Sequence, residues 1–354
     1  MKETFHIFKG KKVFITGHTG FKGAWLAFWL SELGAEVTGY ALPPEYPESL
    51  FDSLKLSERV HHIVGDIGDG ASLKKSLLDA QPEFVFHLAA QALVRRSYTD
   101  PYLTFHTNVM GSLNLLEAVR YADTVRSLVY ITSDKCYKNK EWVWGYRETD
   151  ELGGPDPYSA SKACAEHVFA SYYLSFLKDK PQLACGVARA GNVIGGGDRS
   201  KDRIVPDIMR ALEARQPIQI RNPLATRPWQ HVLDPLAGYL QLASYLYKGN
   251  AGINGEAFNF GPSGQSICTV HELARQMVTC WGAGEIEVAQ DAQAPHESTL
   301  LHLAIDKARD LLQWKPRLDF SQTVEWTTAW YKTLFEGGNV QALTSQQIYQ
   351  FMEF

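Results

Sequence analysis

The chain has 354 residues and a formal net charge of −4 at pH 7, which argues against an electrostatic nucleic-acid binder. Hydrophobic residues make up 45% and charged residues 21% of the sequence, the balance of a globular protein with a substantial core. No apolar run approaches the ~18 residues that span a bilayer, and no secretory signal is evident, so we expect a cytoplasmic protein without a nucleic-acid or membrane partner. The five cysteines form no CxxC pair, which favours free thiols and predicts no metal site.

The first predicted unit is a strand, a glycine-rich turn and a helix. An apolar run over 12–16 precedes Gly17-His18-Thr19-Gly20-Phe21-Lys22-Gly23, and an apolar segment over 24–33 follows before Gly34. Glycines let the backbone turn sharply and approach a pyrophosphate without a Cβ clash. The first turn of the helix offers N–H groups and a positive dipole end to the phosphates. We therefore predict a dinucleotide-binding turn here rather than a bare tight turn.

Strand and helix patterns alternate through the first half of the chain. Apolar runs predict strands over 36–40, 63–66, 84–88, 127–132 and 184–190, with helices near 72–80, 103–121 and 157–177 between them. This alternation predicts an α/β, Rossmann-type fold, with a doubly wound parallel sheet, helices on both faces and right-handed crossovers.

From Gly191 onward the alternation loosens, and glycine and proline become frequent. Helices or short strands are predicted over 232–247, 258–260, 269–281, 286–289, 307–312 and 323–335. We therefore divide the chain into a dinucleotide-binding domain over 1–190 and a smaller C-terminal α/β substrate-binding lobe over 191–354. The lobe is not expected to be independent, because the central sheet can recruit strands from it.

Two motifs carry the candidate catalytic side chains. The fifth strand is followed by Ser133-Asp134-Lys135, and catalytic groups of open parallel sheets lie at the carboxyl ends of strands. Tyr158 and Lys162 stand four residues apart, so both project from one face of a helix. A nearby ammonium stabilises a phenolate and lowers the pKa of the phenol, which would let Tyr158 accept a proton from an alcohol. The alternatives are a turn that Asp134 and Lys135 merely cap, and a solvated Tyr–Lys surface pair.

These motifs resemble the extended short-chain dehydrogenase/reductases over essentially the whole chain. The resemblance rests on TGxxGxxG from Thr16 to Gly23, on His87-Leu88-Ala89-Ala90, on Asn108 and on the YxxxK pair. Within that family, the nucleotide-sugar 4,6-dehydratases carry an Asp-Glu pair where this chain has Asp134-Lys135. At that pair, and in the segments 17–26 and 227–232, the chain is similar to the members of the family that act on CDP-glucose.

The resemblance implies a reaction and a set of roles. Tyr158, assisted by Ser133, would take the proton of the sugar 4-hydroxyl while NAD oxidises C4. Asp134 would protonate the departing 6-hydroxyl, and Lys135, neutral for part of the cycle, stands in the position of the base for C5. Return of the electrons to C6 would give CDP-4-dehydro-6-deoxyglucose, a precursor of deoxysugars in surface polysaccharides. The alternatives are dTDP-glucose or GDP-mannose as substrate, a UDP-sugar 4-epimerase, or a catalytically silent sensor of NAD(P).

The cofactor contacts are predicted mostly by resemblance. The second strand ends without the carboxylate that usually holds the adenosine ribose of NAD, so NADP remains open, although the resemblance favours NAD. Besides the glycine-rich turn, Tyr158 and Lys162, the candidates are Asp66 and Ile67 at the adenine, then Leu88, Ala89, Ala90 and Asn108. A turn or N-cap aspartate is the alternative for Asp66.

A nucleotide-sugar substrate implies a further group of polar residues and a partner copy. The substrate candidates are Gln91, Arg189, Asn192, Arg203, Arg227, Gln230, His231 and Glu297, the arginines because a guanidinium grips phosphate bidentately. A structural role is the alternative for His231, and a solvated loop residue is the alternative for Glu297. By analogy with relatives, the helices 103–121 and 157–177 would pair into the four-helix interface of a homodimer or homotetramer.

Overall fold

The computed structural model describes residues 1–262, 267–288 and 301–354. The strands in these ranges are β1 (Lys12–Thr16), β2 (Glu36–Ala41), β3 (His61–Val64), β4 (Phe84–His87), β5 (Ser127–Ile131), β6 (Ala184–Ala190), β7 (Val193–Ile194), β8 (Ile218–Ile220), β9 (Thr226–Pro228), β10 (Gln230–His231), β11 (Ala257–Phe260), β12 (Ile267–Thr269) and β13 (Ile286–Val288). Seven of them form one parallel sheet in the order β11-β6-β5-β4-β1-β2-β3. The predicted doubly wound parallel sheet is confirmed.

The strand order places a switch point beside β1. Strand β1 pairs with β2 on one side and with β4 on the other, and Thr16 lies between Tyr40 and His87 in register. The chain leaves the sheet in opposite directions there, so a crevice opens above the carboxyl ends of β1 and β4. The central strands β4, β5 and β6 are buried along their whole length, as expected for parallel strands covered on both faces.

The helices are α1 (Lys2–Phe5), α2 (Phe21–Glu32), α3 (Leu50–Ser53), α4 (Gly70–Ala80), α5 (Val94–Thr99), α6 (Pro101–Phe105), α7 (Ser112–Tyr121), α8 (Pro157–Tyr172), α9 (Ile204–Glu213), α10 (Leu233–Tyr247), α11 (Val270–Trp281), α12 (Asp306–Leu312), α13 (Phe320–Phe335) and α14 (Val340–Glu353). Helices α2 and α10 share one apolar core with β1 and β4, whereas α4, α7 and α8 share a second core. Helix α2 is buried from Gly23 to Leu30, which explains why its sequence is apolar all round.

Two predicted helices contain π-helical turns. The segment 103–121 is divided into α6, a π-helical stretch His106–Gly111 and α7, and α8 continues into a second stretch, Tyr173–Leu177. In the first stretch the Asn108 amide donates to the Gln91 carbonyl (3.0 Å) and to Ser161 Oγ (2.9 Å). A π-helical turn changes which side chains face a neighbour, and here it turns Asn108 toward α8.

The second half of the chain adds one strand to the central sheet, since β11 pairs with β6. Its other strands in the described residues form two-stranded pairs outside that sheet: β7 with β10, β9 with β12 and β8 with β13. The division at residue 190 remains a prediction.

Helices α9 and α14 were not among the predicted elements. Helix α14 buries Ile348 and Phe351. The Phe351 ring meets the edge of the Trp29 ring, with 5.9 Å between the ring centroids.

Within the described residues, no helix is both long enough and apolar enough to cross a membrane. The five cysteines all fall in the described ranges and are free thiols.

Candidate active site

The glycine-rich turn links β1 to α2 at the switch point. Gly17 has φ +79°, and a Cβ there would lie 2.7 Å from the backbone nitrogen of Ala89. A Cβ on Gly23 would lie 2.1 Å from the Gly17 carbonyl oxygen. Gly20 is the N-cap of α2 and offers no capping side chain, so the first N–H groups of the helix are not used by a cap. This cradle suits a phosphate held by backbone donors.

The remaining side chains of the turn face in different directions. His18 is buried against Gly39 and Phe51, and its Nε2 lies 2.7 Å from Nδ1 of His62. Burial, with the neighbouring His62, lowers the pKa of His18 to about 3, so the ring is neutral. Thr19 Oγ1 donates to the Leu42 carbonyl at 2.9 Å.

Strand β4 supports the turn from the other side. The Leu88 N–H donates to the Thr16 carbonyl, and the Ala89 N–H donates to Thr16 Oγ1. His87 lies between Thr16 Oγ1 (2.7 Å) and Ser112 Oγ (2.9 Å). Burial lowers the pKa of His87 to about 3, so it acts as a neutral hydrogen-bonding link. Leu88, Ala89 and Ala90 are all half-buried beside the glycine-rich turn.

The residues predicted at the adenine differ in exposure. Asp66 is exposed, its Oδ1 accepts the Gly68 N–H at 2.8 Å, and its carbonyl accepts the Tyr40 hydroxyl. These bonds fit the alternative of a turn aspartate, and a contact of Asp66 with the adenine remains a prediction. Ile67 is buried at 4% exposure against Gly111, so its side chain belongs to the core.

The segment after β5 forms a 3-10 turn, Asp134–Cys136, capped by Ser133. Ser133 Oγ donates to Asp134 Oδ1 at 2.9 Å and accepts the Lys135 N–H at 3.2 Å. Lys135 Nζ lies 3.5 Å from Asp134 Oδ2. Asp134 is 3% exposed, and a Cβ on Gly191 would stand 2.1 Å from its Oδ2, so only glycine at 191 leaves room for this carboxylate. The turn therefore presents a hydroxyl, a carboxylate and an ammonium together.

Helix α8 brings Tyr158 and Lys162 to the same pocket. Asp156 caps its N-terminus by accepting the Ser159 N–H, and Pro157 occupies the first turn, a favourable start for a helix. Tyr158 and Lys162 are 7% and 6% exposed, so the alternative of a solvated surface pair is excluded.

The pKa of the phenol moves against the expected direction. Burial raises the pKa of Tyr158 to about 12, and a side-chain hydrogen bond with Ser133 opposes this rise. Burial also lowers the pKa of Lys162 to about 8. The net direction is opposite to the expected one, because the loss of hydration outweighs the hydrogen bond with Ser133 and the charge of Arg203.

Two further cations reach the pocket. Lys22 extends from α2 toward the Tyr239 ring, 6.0 Å from its centroid, and its pKa is lowered to about 8 by burial and by the nearby Lys162. Arg203 Nη1 pairs with Asp198 at 3.1 Å and its side chain is 37% exposed; its charge acts on Tyr158. Lys22 thus faces the catalytic side chains rather than the outer surface of the turn.

Several predicted substrate contacts are engaged within the protein instead. The Gln91 amide bonds to Leu93 and Thr104, and the Gln230 amide donates to the Gly191 and Phe260 carbonyls. Arg189 is 4% exposed and forms a bidentate pair with Glu166. His231 is fully buried between the edges of two tryptophan rings, which is its structural alternative. These bonds occupy Arg189 and the amides of Gln91 and Gln230, whereas Gln230 Oε1 and His231 Nε2 have no partner within the described ranges. The four substrate assignments therefore remain predictions.

The other substrate candidates are placed differently. Asn192 is half-buried with φ +46°, and its Nδ2 has no partner within the described ranges, so this donor is available to a ligand. Arg227 lies on β9 opposite Cys268, and its Nη1 donates to the Thr226 carbonyl. Glu297 lies outside the described residues.

Sequence reasoning missed one residue of the site. Glu166 follows Lys162 by four residues, as Lys162 follows Tyr158, so one face of α8 carries all three. Its carboxylate accepts Thr132 Oγ1 at 2.5 Å, immediately before Ser133. The four-residue spacing was the signal that could have found it.

Comparisons with known proteins agree with this geometry. The family model for GDP-mannose 4,6 dehydratase matches residues 14–327. The CDP-glucose 4,6-dehydratase of Salmonella typhimurium is 45% identical over 351 residues, covering 98% of this chain and 98% of that protein.

Solved structures share the fold. An epimerase of Methanothermobacter thermautotrophicus is 26% identical with a TM-score of 0.79, covering 95% of this chain and 96% of that one. A dTDP-glucose 4,6-dehydratase of Bacillus anthracis, in complex with NAD, is 21% identical with a TM-score of 0.75, covering 94% of this chain and 99% of that one.

Proposed function

This chain belongs to the GDP-mannose 4,6-dehydratase family, within the extended short-chain dehydrogenase/reductases, and from that premise we propose that it catalyses the 4,6-dehydration of CDP-glucose. The enzyme is a hydro-lyase that uses NAD and forms CDP-4-dehydro-6-deoxyglucose. The choice of CDP-glucose is supported by the 45% identity over 98% of the chain to a CDP-glucose 4,6-dehydratase.

One arrangement carries the chemistry. Ser133 Oγ donates to Asp134 Oδ1 at 2.9 Å, Tyr158 is buried beside them, and Lys135 Nζ stands 3.5 Å from the Asp134 carboxylate. An oxidation of an alcohol needs the tyrosine and the serine, whereas an elimination of water needs an additional acid and base. A 4-epimerase or a silent sensor has no use for the Asp134–Lys135 pair.

The glycine-rich turn fits NAD. Gly17 and Gly23 have no space for a Cβ, and the first turn of α2 has free N–H donors, which suit a pyrophosphate. Lys162, buried on α8, would hold the nicotinamide ribose. The chemistry that this site would draw from bound NAD is the uptake of two electrons from C4 of the sugar and their return at C6.

The chain's own residues move the protons of the oxidation. Because burial keeps the Tyr158 phenol protonated at neutral pH, it can take the 4-hydroxyl proton only while releasing its own. Ser133 accepts that proton and passes its own to Asp134 Oδ1, 2.9 Å away. The transfer leaves Tyr158 and Ser133 neutral and Asp134 protonated.

The elimination then uses Asp134 and Lys135. The Lys135 side chain is 29% exposed, and its ammonium first gives one proton to solvent. The 4-ketone acidifies the C5 proton, which the resulting neutral amine removes, while Asp134 gives its proton to the departing 6-hydroxyl and water leaves. Lys135 then returns its proton to C5 and takes a proton back from solvent, so every group regains its initial charge.

The test is turnover of CDP-glucose with catalytic NAD in deuterated water, followed by NMR. A 4-keto-6-deoxy sugar with deuterium at C5 is the expected product, because solvent exchanges with the Lys135 proton. An unchanged CDP-glucose beside turnover of dTDP-glucose or GDP-mannose would overturn the substrate. Dinucleotide binding without turnover of any nucleotide sugar would overturn the enzymatic function.

We further propose a homo-oligomer, through the helical segments 103–121 and 157–177. These segments and the adjoining α5 and α6 expose large apolar side chains: Tyr98, Tyr102, Met110, Tyr121, Leu174 and Phe176. An apolar surface of this kind marks an interaction site. The cytoplasmic location also remains a proposal, on the ground that nucleotide sugars and NAD are metabolites of that compartment.

A further inference from the structure

A buried ion pair lies behind the catalytic side chains. Arg189 Nε donates to Glu166 Oε1 at 2.8 Å, and Arg189 Nη2 donates to Oε2 at 2.9 Å. The two side chains are 5% and 4% exposed. A bidentate pair fixes orientation as well as charge, so Glu166 and Arg189 form a rigid unit between α8 and β6.

The pair is bonded to both sides of the pocket. On the catalytic side, Thr132 Oγ1 donates to Glu166 Oε1 at 2.5 Å, and the next residue is Ser133. On the other side, Arg189 Nη1 donates to the Tyr137 hydroxyl at 2.7 Å and to the Glu148 carbonyl at 3.0 Å. The pair thus ties helix α8 to both ends of the turn that carries Ser133, Asp134 and Lys135.

Glu166 also places a negative charge one helical turn from Lys162. Its charge raises the pKa of Lys162, against the larger effect of burial. The other titratable groups that interact with Lys162 are Cys136 from the 3-10 turn, Lys22 from α2 and His87 from β4. Lys22 is a cation and the buried His87 is neutral, so Glu166 is the carboxylate that faces Lys162.

We propose that the Glu166–Arg189 pair is a positioning device for the active site: it holds the Ser133 turn against helix α8 and supplies the fixed negative charge beneath Lys162. The role assigned to the two residues in the reaction rests on the proposed function. Neither residue is expected to touch the substrate, since both are buried and saturated by protein partners. Arg189 thereby gains a role other than the phosphate contact predicted from the sequence.

The first experiment separates charge from packing. Glu166→Gln/Arg189→Met removes both charges together, because removing one alone would leave a buried unpaired charge. The readout is the titration of Lys162, followed by NMR of protein labelled with ¹³Cε-lysine and assigned with Lys162→Met. Glu166 acts on Lys162 from the next turn of α8, and Arg189 is not among the groups that shift the pKa of Lys162. We therefore expect that pKa to fall relative to the wild type when the pair is removed. The matched control is Glu32→Gln/Arg59→Met, which removes a partly exposed pair and should leave the titration unchanged.

The second experiment tests the tie to the turn. Thr132→Val keeps the shape of the side chain and removes one hydroxyl, so we expect this variant to fold even if the double variant does not. Because Ser133 is then less well held, we expect kcat to fall about 10-fold with KM for CDP-glucose unchanged. Thr132→Ser, which restores the hydroxyl, should recover the rate.

An unchanged Lys162 titration in a folded double variant would overturn the charge role, and an unchanged kcat in Thr132→Val would overturn the tie. The titration needs no substrate, so it decides the charge role even where the wild type turns over no nucleotide sugar and the proposed function fails.

Discussion

The proposed chemistry depends on three buried side chains that lie together, Tyr158, Ser133 and Asp134, of which Ser133 Oγ donates to Asp134 Oδ1 at 2.9 Å. Each is less than a tenth exposed, so water competes little with the bonds between them. In such a site a phenol with a raised pKa is useful as a relay rather than as a free base. The relay explains why a tyrosine, a hydroxyl and a carboxylate lie together beside Lys162.

Removing the hydroxyl of Tyr158 should abolish the relay. Tyr158→Phe keeps the buried ring, so we expect an unchanged melting temperature and a rate of 4-keto sugar formation lower by ~10³-fold. Tyr349→Phe, on the distant helix α14, is the matched control and should keep full activity. A Tyr158→Phe enzyme with more than a tenth of the wild-type rate would contradict the relay.

The pH dependence should report on Lys162. Its pKa is lowered to about 8 by burial, so the ammonium is present below that pH and lost above it. Because the ammonium stabilises negative charge on the Tyr158 oxygen during proton transfer, we expect kcat to fall as pH rises through about 8. The measurement is a kcat profile between pH 6 and 10.

Lys162→Arg provides the control for that profile, since a guanidinium stays charged throughout this range. The variant should be slower overall but should lack the alkaline decrease. If kcat of Lys162→Arg fell with pH in the same way as kcat of the wild type, the decrease would report on a group other than Lys162.

At this scale the structure brings the candidate catalytic residues together more closely than the candidate binding residues. Ser133, Asp134, Tyr158 and Lys162 come together in one pocket, whereas Gln91, Arg189 and Gln230 bond to the protein itself. A polar residue near a strand end serves a ligand or a neighbour equally well, and residue type does not distinguish the two. Whether a polar side chain bonds to a ligand or to the protein depends on the hydrogen-bond partners that surround it in the folded structure.

Among the elements, the β1–α2 turn best shows how local geometry follows from residue type. Gly23 packs against the Gly17 carbonyl, so a Cβ at 2.1 Å would force the backbone apart, whereas a Cβ on Gly20 would meet that oxygen at an ordinary 3.5 Å. The two glycines therefore serve different purposes. Gly23 serves the fold, and Gly20 keeps the cradle open for a phosphate.

The two glycines should respond differently to alanine. Gly23→Ala should lose about 1–3 kcal/mol of unfolding free energy, measured in urea. Gly20→Ala should lose less than about 1 kcal/mol while its Kd for NAD rises at least ~10-fold, measured by calorimetry, because the methyl group meets the pyrophosphate. Gly252→Ala is the control, because a Cβ there would lie at an ordinary 3.6 Å from Asn250 Oδ1. Equal losses of stability at Gly20 and Gly23 would refute the distinction.

Helix boundaries illustrate what periodicity misses. The pattern over 103–121 predicted one helix, but the structure places a π-helical turn at His106–Gly111. That turn satisfies Asn108 through Gln91 and Ser161, and both partners belong to other segments of the chain. A periodicity calculated within one segment contains no information about them.

For the whole molecule, the apolar surface of the helical segments 103–121 and 157–177 is the main unexplained feature. Met110 is 46% and Leu174 is 61% exposed, which is unfavourable unless a second copy covers them. We expect Met110→Glu and Leu174→Glu each to reduce the molar mass measured by light scattering, because a buried unpaired carboxylate opposes association.

Leu224→Glu is the control for this measurement. Leu224 is 80% exposed but lies on the C-terminal half, away from these helices, so its variant should keep the wild-type mass. An unchanged molar mass in both Met110→Glu and Leu174→Glu would contradict the assignment of this surface to the subunit interface.

The sequence by itself determined the fold class and the glycine-rich turn between β1 and α2, and it singled out the candidate catalytic residues. Those features follow from local patterns: the strand–helix alternation, glycines where Cβ atoms do not fit, and pairs at helical spacing. Tertiary structure alone decided that Glu166 and Arg189 form a buried pair, that β11 joins the sheet beside β6, and that the pKa of Tyr158 rises. The physical reason is that burial and hydrogen-bond partners depend on segments far apart in the chain, and desolvation exists only once those segments have packed.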